Sequence, residues 1–408
     1  MIKNNLFVLL CLAVIFAGYS QKERKVVFII ADGISADVIE QHDFHNLTKI
    51  KESGSYIRAF QGGEKGDYSQ SPTISAVGYN NVLTGVWFNK HNVPDNAITD
   101  PNYNYPTVFR LLKDAYPNKK IAIFSSWEDN RTKLLGEGLK ETGKLKLDFA
   151  FDGYELDKDR FPHTHYSFMN DIDALVAEKA AQTIREEAPD LSWVYFQYTD
   201  DMGHRFGDSP EFLAAIQDMD RRVGTIWEAI EDREKSHNEE WLIIVTTDHG
   251  RDEGSGKGHG GQSDRQRSAW IFSNKKLNES TPWRTASVVD ILPSITSFLS
   301  IDIPKETLFE LDGYSLISDL SVIDPKVNYF QDTLDITWIP NDSDDVKIWG
   351  SVTNNKKTGG EDTYTLLGTY PNSDGCAVIP INQKINSFYK IVIEGTNNSI
   401  NRWFINKK

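Results

Sequence analysis

The chain has 408 residues, 39% hydrophobic and 12% aromatic, enough for one large packed domain with a smaller one beside it. Its net charge of −15, with lysine pairs scattered rather than massed, excludes a basic footprint for polymeric nucleic acid. Two cysteines exclude a disulfide framework, and no apolar run approaches the about 18 residues of a membrane-spanning helix.

Residues 1–20 read as a secretory signal, with Lys3 at the positive end, an apolar stretch from Leu6 to Ala17, and Gly18-Tyr19-Ser20 at the cleavage site. The expectation is an exported, periplasmic or extracellular protein without a transmembrane anchor. Cys11 lies behind Leu10 inside the apolar stretch, a poor context for a lipid anchor. Cleavage leaves Cys376 alone, read here as a small buried apolar residue.

Residues 21–324 alternate strand-like and helix-like segments. Lys25–Ile30 is a continuous apolar run of buried-strand type, and Asn46–Ser53 reads as a short helix. Tyr105–Ala115 has helical spacing and Lys120–Phe124 follows as a strand. Asn170–Ala188 is a long amphipathic helix, and Ser192–Gln197 is strand-like. Ser209–Glu234 places Phe212, Ile216, Met219, Val223, Trp227 and Ile230 on one helical stripe, read as core packing. Trp241–Val245 and Trp270–Phe272 are further strands, and Thr285–Leu299 a closing helix. This alternation predicts an α/β fold, a mostly parallel sheet with helices on both faces. Ligands of such sheets bind at the carboxyl ends of the strands.

The character changes at residue 325. Short β-type runs separated by turn residues (LDITWI, DVKIWGSV, TYTLLGTY, CAVIPI, FYKIVIEG, NRWFI) predict a small all-β sandwich of fibronectin type III kind over residues 325–408. A spacing or stabilising role is favoured for it over carbohydrate binding, since no binding motif is visible.

Chemistry gathers in five clusters. Asp32 follows the first strand, and Asp200 ends another, with His204 four residues on, read as lying on a glycine-containing loop. Asp248-His249 follow the apolar run WLIIVTT, where a kink must turn both residues to one side. His259 stands between glycines that let the backbone approach closely. Ser75 opens a helix that runs to Leu83, where an isolated serine is more often a plain N-cap than a nucleophile, and Thr73 competes for that role. Three carboxylates and three imidazoles beside one hydroxyl are what a metal-dependent ester hydrolase needs.

In this order the motifs resemble the alkaline phosphatase superfamily, specifically its nucleotide pyrophosphatase/type I phosphodiesterase-like branch. The resemblance spans about residues 25–320. It rests on A-D-G at Asp32, T-I-S-A-V-G-Y-N-N-V-L-T-G around Ser75, H-N-V-P-D-N ending at Asn96, D-D-M-G-H ending at His204, T-T-D-H-G at Asp248-His249 and G-H-G-G at His259. It implies two zinc ions, one on Asp200, His204 and His259, the other on Asp32, Asp248, His249 and the Ser75 oxygen. It further implies a covalent seryl-phosphate on Ser75, with Asn96 donating to a phosphoryl oxygen. His91 is read as packing.

The phosphomonoesterase branches carry a cation near the phosphoryl group, about where this chain has Trp127, with Arg131 close by. An apolar Trp127 in the substrate pocket suits the second substituent of a diester. The expected reaction is therefore phosphodiester hydrolysis, on a small-molecule, glycan or lipid-headgroup phosphate ester. A phosphomonoesterase (alkaline phosphatase) and a sulfate-ester hydrolase on the same fold are the alternatives, although Ser75-Ala76-Val77-Gly78-Tyr79 lacks the sulfatase C/S-x-P-S-R pattern. A metal-stabilised exported binding protein is the non-enzyme alternative. Inserted loops at Lys65–Ser71 and Gly136–His165 are the expected seats of specificity.

Overall fold

The continuous apolar runs form the centre of one eight-stranded sheet in a computed structural model of the chain, which describes residues 21–278, 285–381 and 388–405. The expected secretory segment lies outside the described residues. The strands are β1 (Glu23–Ala31), β2 (Ser55–Phe60), β3 (Ile121–Ser125), β4 (Phe149–Phe151), β5 (Leu191–Phe196), β6 (Glu239–Thr246), β7 (Ser268–Ser273) and β8 (Ala286–Ser287). Their order is β4-β3-β5-β1-β6-β7-β2-β8. β7 runs antiparallel to β6 and β2; the other pairings are parallel.

The helices are α1 (Ala36–Gln41), α2 (His45–Ser53), α3 (Ser75–Thr84), α4 (Phe88–His91), α5 (Val108–Ala115), α6 (Phe168–Glu187), α7 (Tyr198–Phe206), α8 (Pro210–Ser236), α9 (Asp264–Arg267), α10 (Ile291–Phe298) and α11 (Lys305–Leu308). Successive residues of β1 point to opposite faces, so an all-apolar strand needs cover on both. Val26, Phe28 and Ile30 enter one core with α3, α5 and α10, while Val27, Ile29 and Ala31 enter a second core with α2, α6 and α8. Met219 and Trp227 are packing residues of that second core, as their spacing predicts. α8 begins where Ser209 Oγ accepts from Phe212 N, a side-chain N-cap followed by Pro210.

β2 and the closing helix depart from the sequence reading. β2 has no strong sequence pattern because it lies near the sheet's edge and carries exposed Arg58. The closing helix starts at Ile291 rather than Thr285, because the Asp290 carboxylate accepts from Ser287 N at 2.7 Å and from Tyr314 N at 3.0 Å, ending one turn and opening the next.

The C-terminal part is an antiparallel two-sheet sandwich. One sheet has β13 (Cys376–Pro380), β10 (Thr333–Pro340) and β9 (Val322–Phe330); the other has β12 (Thr365–Pro371), β11 (Asp345–Ser351), β14 (Phe388–Glu394) and β15 (Ser399–Ile405). β9 begins before residue 325 and was hidden by its Pro325. That proline is tolerated because β9 lies at the sheet's edge and the pairing with β10 is interrupted between Lys326 and Ile323. Cys376 is exposed, not buried, because β13 turns Ala377 and Ile379 inward and leaves Cys376, Val378 and Pro380 outside. No helix of the described residues is long and apolar enough to cross a membrane.

Phe28 is fully buried with its ring stacked 6.0 Å from that of Trp193 and tilted against Phe109 at 6.1 Å. Phe28→Ala should lower stability by about 3–5 kcal/mol, read from the urea unfolding midpoint.

Candidate active site

Asp32 directly follows β1, Asp248 and His249 follow β6, and Ser75 is the first residue of α3. Asp200 does not end β5, which stops at Phe196, and His204 is not on a loop. Both lie on α7, four residues apart and so on one face of that helix. Gly203 is not a loop glycine: a Cβ there would meet the Arg251 guanidinium carbon at 2.1 Å, so a buried arginine packs against the helix backbone. All five clusters meet at the carboxyl ends of the parallel strands. Gly78 is a second close approach, since a Cβ there would meet Asp248 O at 2.7 Å.

His249 is the centre of the arrangement. Its Nδ1 faces Gly250 O at 3.0 Å and must carry the proton, so Nε2 presents a lone pair. That nitrogen stands 3.3 Å from Asp32 Oδ1, 3.3 Å from Asp248 Oδ2 and 3.3 Å from Ser75 Oγ. Both carboxylate oxygens are buried and have no hydrogen-bond partner among the described residues. Beside them, His259 Nδ1 faces Thr73 O at 3.0 Å, which turns its Nε2 towards His204 Nε2 at 3.0 Å and Asp200 Oδ1 at 3.9 Å. His204 Nε2 lies 3.2 Å from Asp200 Oδ2. Ligand atoms of Asp32, Asp248 and His249, and of Asp200, His249 and His259, all lie within 4.8 Å of one another in each set. The converging lone pairs of Asp32, Asp248 and His249 have no donor among them, which is what a bound cation requires, and a mixed imidazole–carboxylate set suits zinc and other divalent ions.

The three carboxylates are held in place by further donors. The phenols of Tyr79 and Tyr195 both donate to Asp32 Oδ2, the latter at 2.7 Å. Gly33 N donates to Asp248 Oδ1 at 3.1 Å. Arg251, fully buried, donates to Asp200 Oδ1, to Asp200 O at 2.8 Å and to Gly33 O at 2.9 Å. Tyr79 lies one helical turn after Ser75, a spacing visible in the sequence, and Arg251 directly follows D-H-G. Tyr195 carries no comparable signal.

Burial, then the charges of Asp248 and Asp200, push the Asp32 carboxyl well above its ordinary value. Burial and then Asp200 raise Asp248 to about 7. Burial works against ionisation of Asp200 too, but the hydrogen bond from His204 and the Arg251 guanidinium outweigh it and hold that carboxyl below the usual range. Burial, with His259 alongside, keeps His249 neutral far below its ordinary value.

A cavity of about 520 Å³ opens over Ser75, bounded by Asp32, Asn96, Trp127, Glu155, Lys158 and His163 among others. Glu155, Lys158 and His163 come from the segment read as a specificity loop. Thr73 Oγ1 is taken up by Gly261 O at 2.8 Å and Gly260 N at 3.0 Å, whereas Ser75 faces the cavity. Asn96 Oδ1 accepts from Ala76 N at 3.0 Å, which leaves its Nδ2 as the outward donor. Trp127 packs edge-on to Tyr79 at 6.3 Å on the cavity wall. Arg131 does not reach in: it pairs with Asp152 at 2.7 Å, Glu137 at 2.9 Å and Glu128 at 3.3 Å. His91 is a buried packing residue, bonded to Asn81 Oδ1 at 2.7 Å and pushed down to about 3 by burial.

The model of the family described as type I phosphodiesterase/nucleotide pyrophosphatase matches residues 26–265. Venom phosphodiesterase 2 of Crotalus adamanteus is 25% identical over 249 residues, 58% of this chain and 28% of that protein. Ectonucleotide pyrophosphatase/phosphodiesterase family member 1 of Mus musculus is 22% identical over 291 residues, 69% of this chain and 28% of its own. The matched region thus spans little more than a quarter of either relative. The solved structure of a 2-O GAG sulfatase superposes with a TM-score of 0.50 at 11% identity, covering 94% of this chain and 85% of that one, a likeness of fold.

Two measurements check the site. Tyr79→Phe combined with Tyr195→Phe should weaken binding of an added divalent ion roughly 10- to 100-fold in chelator competition. After chelation, the raised Asp248 pKa contributes stability that is fully present below 3.8 and lost as pH rises through about 7. The gain in thermal midpoint on adding zinc should therefore be larger at about pH 8 than at about pH 5.

Proposed function

Because the chain belongs to the type I phosphodiesterase/nucleotide pyrophosphatase family, we propose that it is an exported two-zinc phosphodiesterase acting through a covalent seryl-phosphate on Ser75. The observation that carries this reading is the Ser75 hydroxyl 3.3 Å from His249 Nε2, beside two buried carboxylate oxygens that lack donors, at the base of the cavity. Asp200, His204 and His259 would hold one ion, and Asp32, Asp248, His249 and Ser75 the other. Export rests on the secretory character of residues 1–20.

When bound, two zinc ions would lower the pKa of the Ser75 hydroxyl and turn the site's net charge, from three carboxylates and Arg251, from minus two to plus two. Ser75 Oγ, at the positive end of α3, attacks phosphorus in line. A P–O bond forms to Ser75 as the bond to one alcohol breaks, and the electron pair leaves with that alcohol's oxygen, which takes up a proton. Asn96 Nδ2, aimed by the Ala76 amide, donates to a non-bridging oxygen. Water then cleaves the Ser75–phosphate ester, returning the serine and releasing a phosphomonoester. Trp127 gives the second substituent an apolar wall.

Charge separates this reading from its nearest rival. A serine alkoxide and a singly charged diester match a site of plus two, whereas a doubly charged monoester asks for one further cation. Lys158 lines the cavity and favours that second reading. The ligand would be a small-molecule, glycan or lipid-headgroup phosphate ester.

With bis-p-nitrophenyl phosphate, p-nitrophenyl phosphate and p-nitrophenyl sulfate as alternative substrates, the diester should turn over fastest. Ser75→Ala or chelation should abolish it, and Asn96→Ala should cost about 100-fold in kcat. Lys158→Ala should reduce monoester turnover more than diester turnover. A faster monoester or sulfate would refute the diesterase reading.

A further inference from the structure

The C-terminal sandwich is fastened to the sheet domain by buried charge. Lys90, on α4, is fully buried, and its Nζ donates to Glu310 O at 2.6 Å, Asp312 Oδ1 at 2.7 Å and Asn401 Oδ1 of β15 at 3.0 Å. Lys390, on β14, is also fully buried and donates to Glu310 Oε1 and to Asp362 Oδ2, the latter at 2.7 Å. Both ammonium groups lie over the Trp403 ring, at 5.1 Å and 5.2 Å from its centroid. Two cations and three carboxylates interlock α4, the Glu310–Asp312 turn and two strands of the sandwich. A buried cluster of this kind tolerates no missing partner, because removing one leaves an uncompensated charge in the interior.

The segment leaving α4 is the one that carries Asn96, and its far end also rests on the sandwich. Asn102 Nδ2 donates to Lys90 O at 3.2 Å and to Lys357 O at 2.9 Å, and Asn104 Nδ2 donates to Lys357 O at 3.3 Å. Asn102 N returns to His91 O at 2.9 Å. Between these anchors Asn92 ends α4 in the left-handed backbone usual for an asparagine C-cap, and Ile98 holds φ 47°, a conformation that a β-branched residue keeps only when the surroundings impose it. Asn96 itself is exposed and is fixed on the catalytic side through the Ala76 amide.

We propose that the sandwich is a working part of the active site: through the Lys90–Lys390 cluster and the Lys357 carbonyl it holds residues 92–104 so that Asn96 stays aimed into the cavity. Lys90, Lys390, Asn102 and Asn104 are positioning residues, and the proposal rests on the phosphoryl-binding role given to Asn96 above. The metal ligands proposed above stand on other elements.

The test uses the full chain with Lys390→Met, with Asn102→Ala plus Asn104→Ala, and with each of these added to Asn96→Ala. Diester turnover, zinc content and hydrogen–deuterium exchange of peptides covering 92–104 are measured on every variant. The expected result is a fall in kcat approaching the about 100-fold loss of Asn96→Ala. Zinc content should be unchanged, exchange across 92–104 faster, and no further loss seen when the tether changes are added to Asn96→Ala. Full turnover, loss of zinc together with activity, or unchanged exchange would overturn the proposal. The paired asparagine variant leaves no buried charge unpaired, so it decides the matter if Lys390→Met does not fold. If the unaltered protein turns over no reporter, the proposed reaction fails by itself, and the exchange measurement still decides whether the sandwich holds the segment.

Discussion

Three carboxylates, those of Asp32, Asp200 and Asp248, point into one buried corner, and the rest of the site follows from that. Their side chains are only 2%, 11% and 0% exposed. Two like charges about 4 Å apart at an effective dielectric of 20 repel by about 4 kcal/mol, which is a large part of a domain's whole stability. Arg251 offsets one of the three charges. Without a bound cation the remaining repulsion shows as the raised pKa values of Asp32 and Asp248.

For Asp32, Asp248, His249 and His259 the surrounding shell fixes the direction of the inward atom by occupying the outward one. Two phenols take one oxygen of Asp32 and leave the other free. A backbone amide does the same for Asp248, and a carbonyl does it for each of His249 and His259. Asn96 is oriented by the same device, with its oxygen on Ala76 N and its amide group outward. Little reorganisation is left for a bound ligand to impose, which is the condition under which fixed dipoles stabilise a transition state most effectively. The parallel sheet makes this possible, because its strand ends bring residues 32, 200, 248 and 249 together from distant parts of the chain.

Much of this was legible in the sequence. Buried parallel strands announce themselves as unbroken apolar runs, so β1, β3, β5 and β6 were evident, and Asp32, Asp200 and Asp248 follow three of them. The order of short motifs pointed to the family where no single motif could. What stayed hidden had physical causes. Gly203 reads as a loop until Arg251 is seen lying against it. β9 was masked by Pro325 at an edge irregularity, and Cys376 by an alternation that only pairing with β10 sets. Tyr195 and the tether at Lys90 gave no signal, because what matters about them is contact across roughly 160 and 300 residues of sequence.

The position of β1 also governs how the chain can assemble. It is the first strand of the sheet to be made, yet it ends up between β5 and β6, paired with residues 191–196 and 239–246. Until those segments exist, its apolar backbone has neither of its final neighbours, and such unpaired strands invite association with other chains. Closure over so many residues is slow. The central strand is therefore the element most in need of protection during synthesis, and Asp32 at its tip can meet Asp248 and His249 only once the sheet has closed.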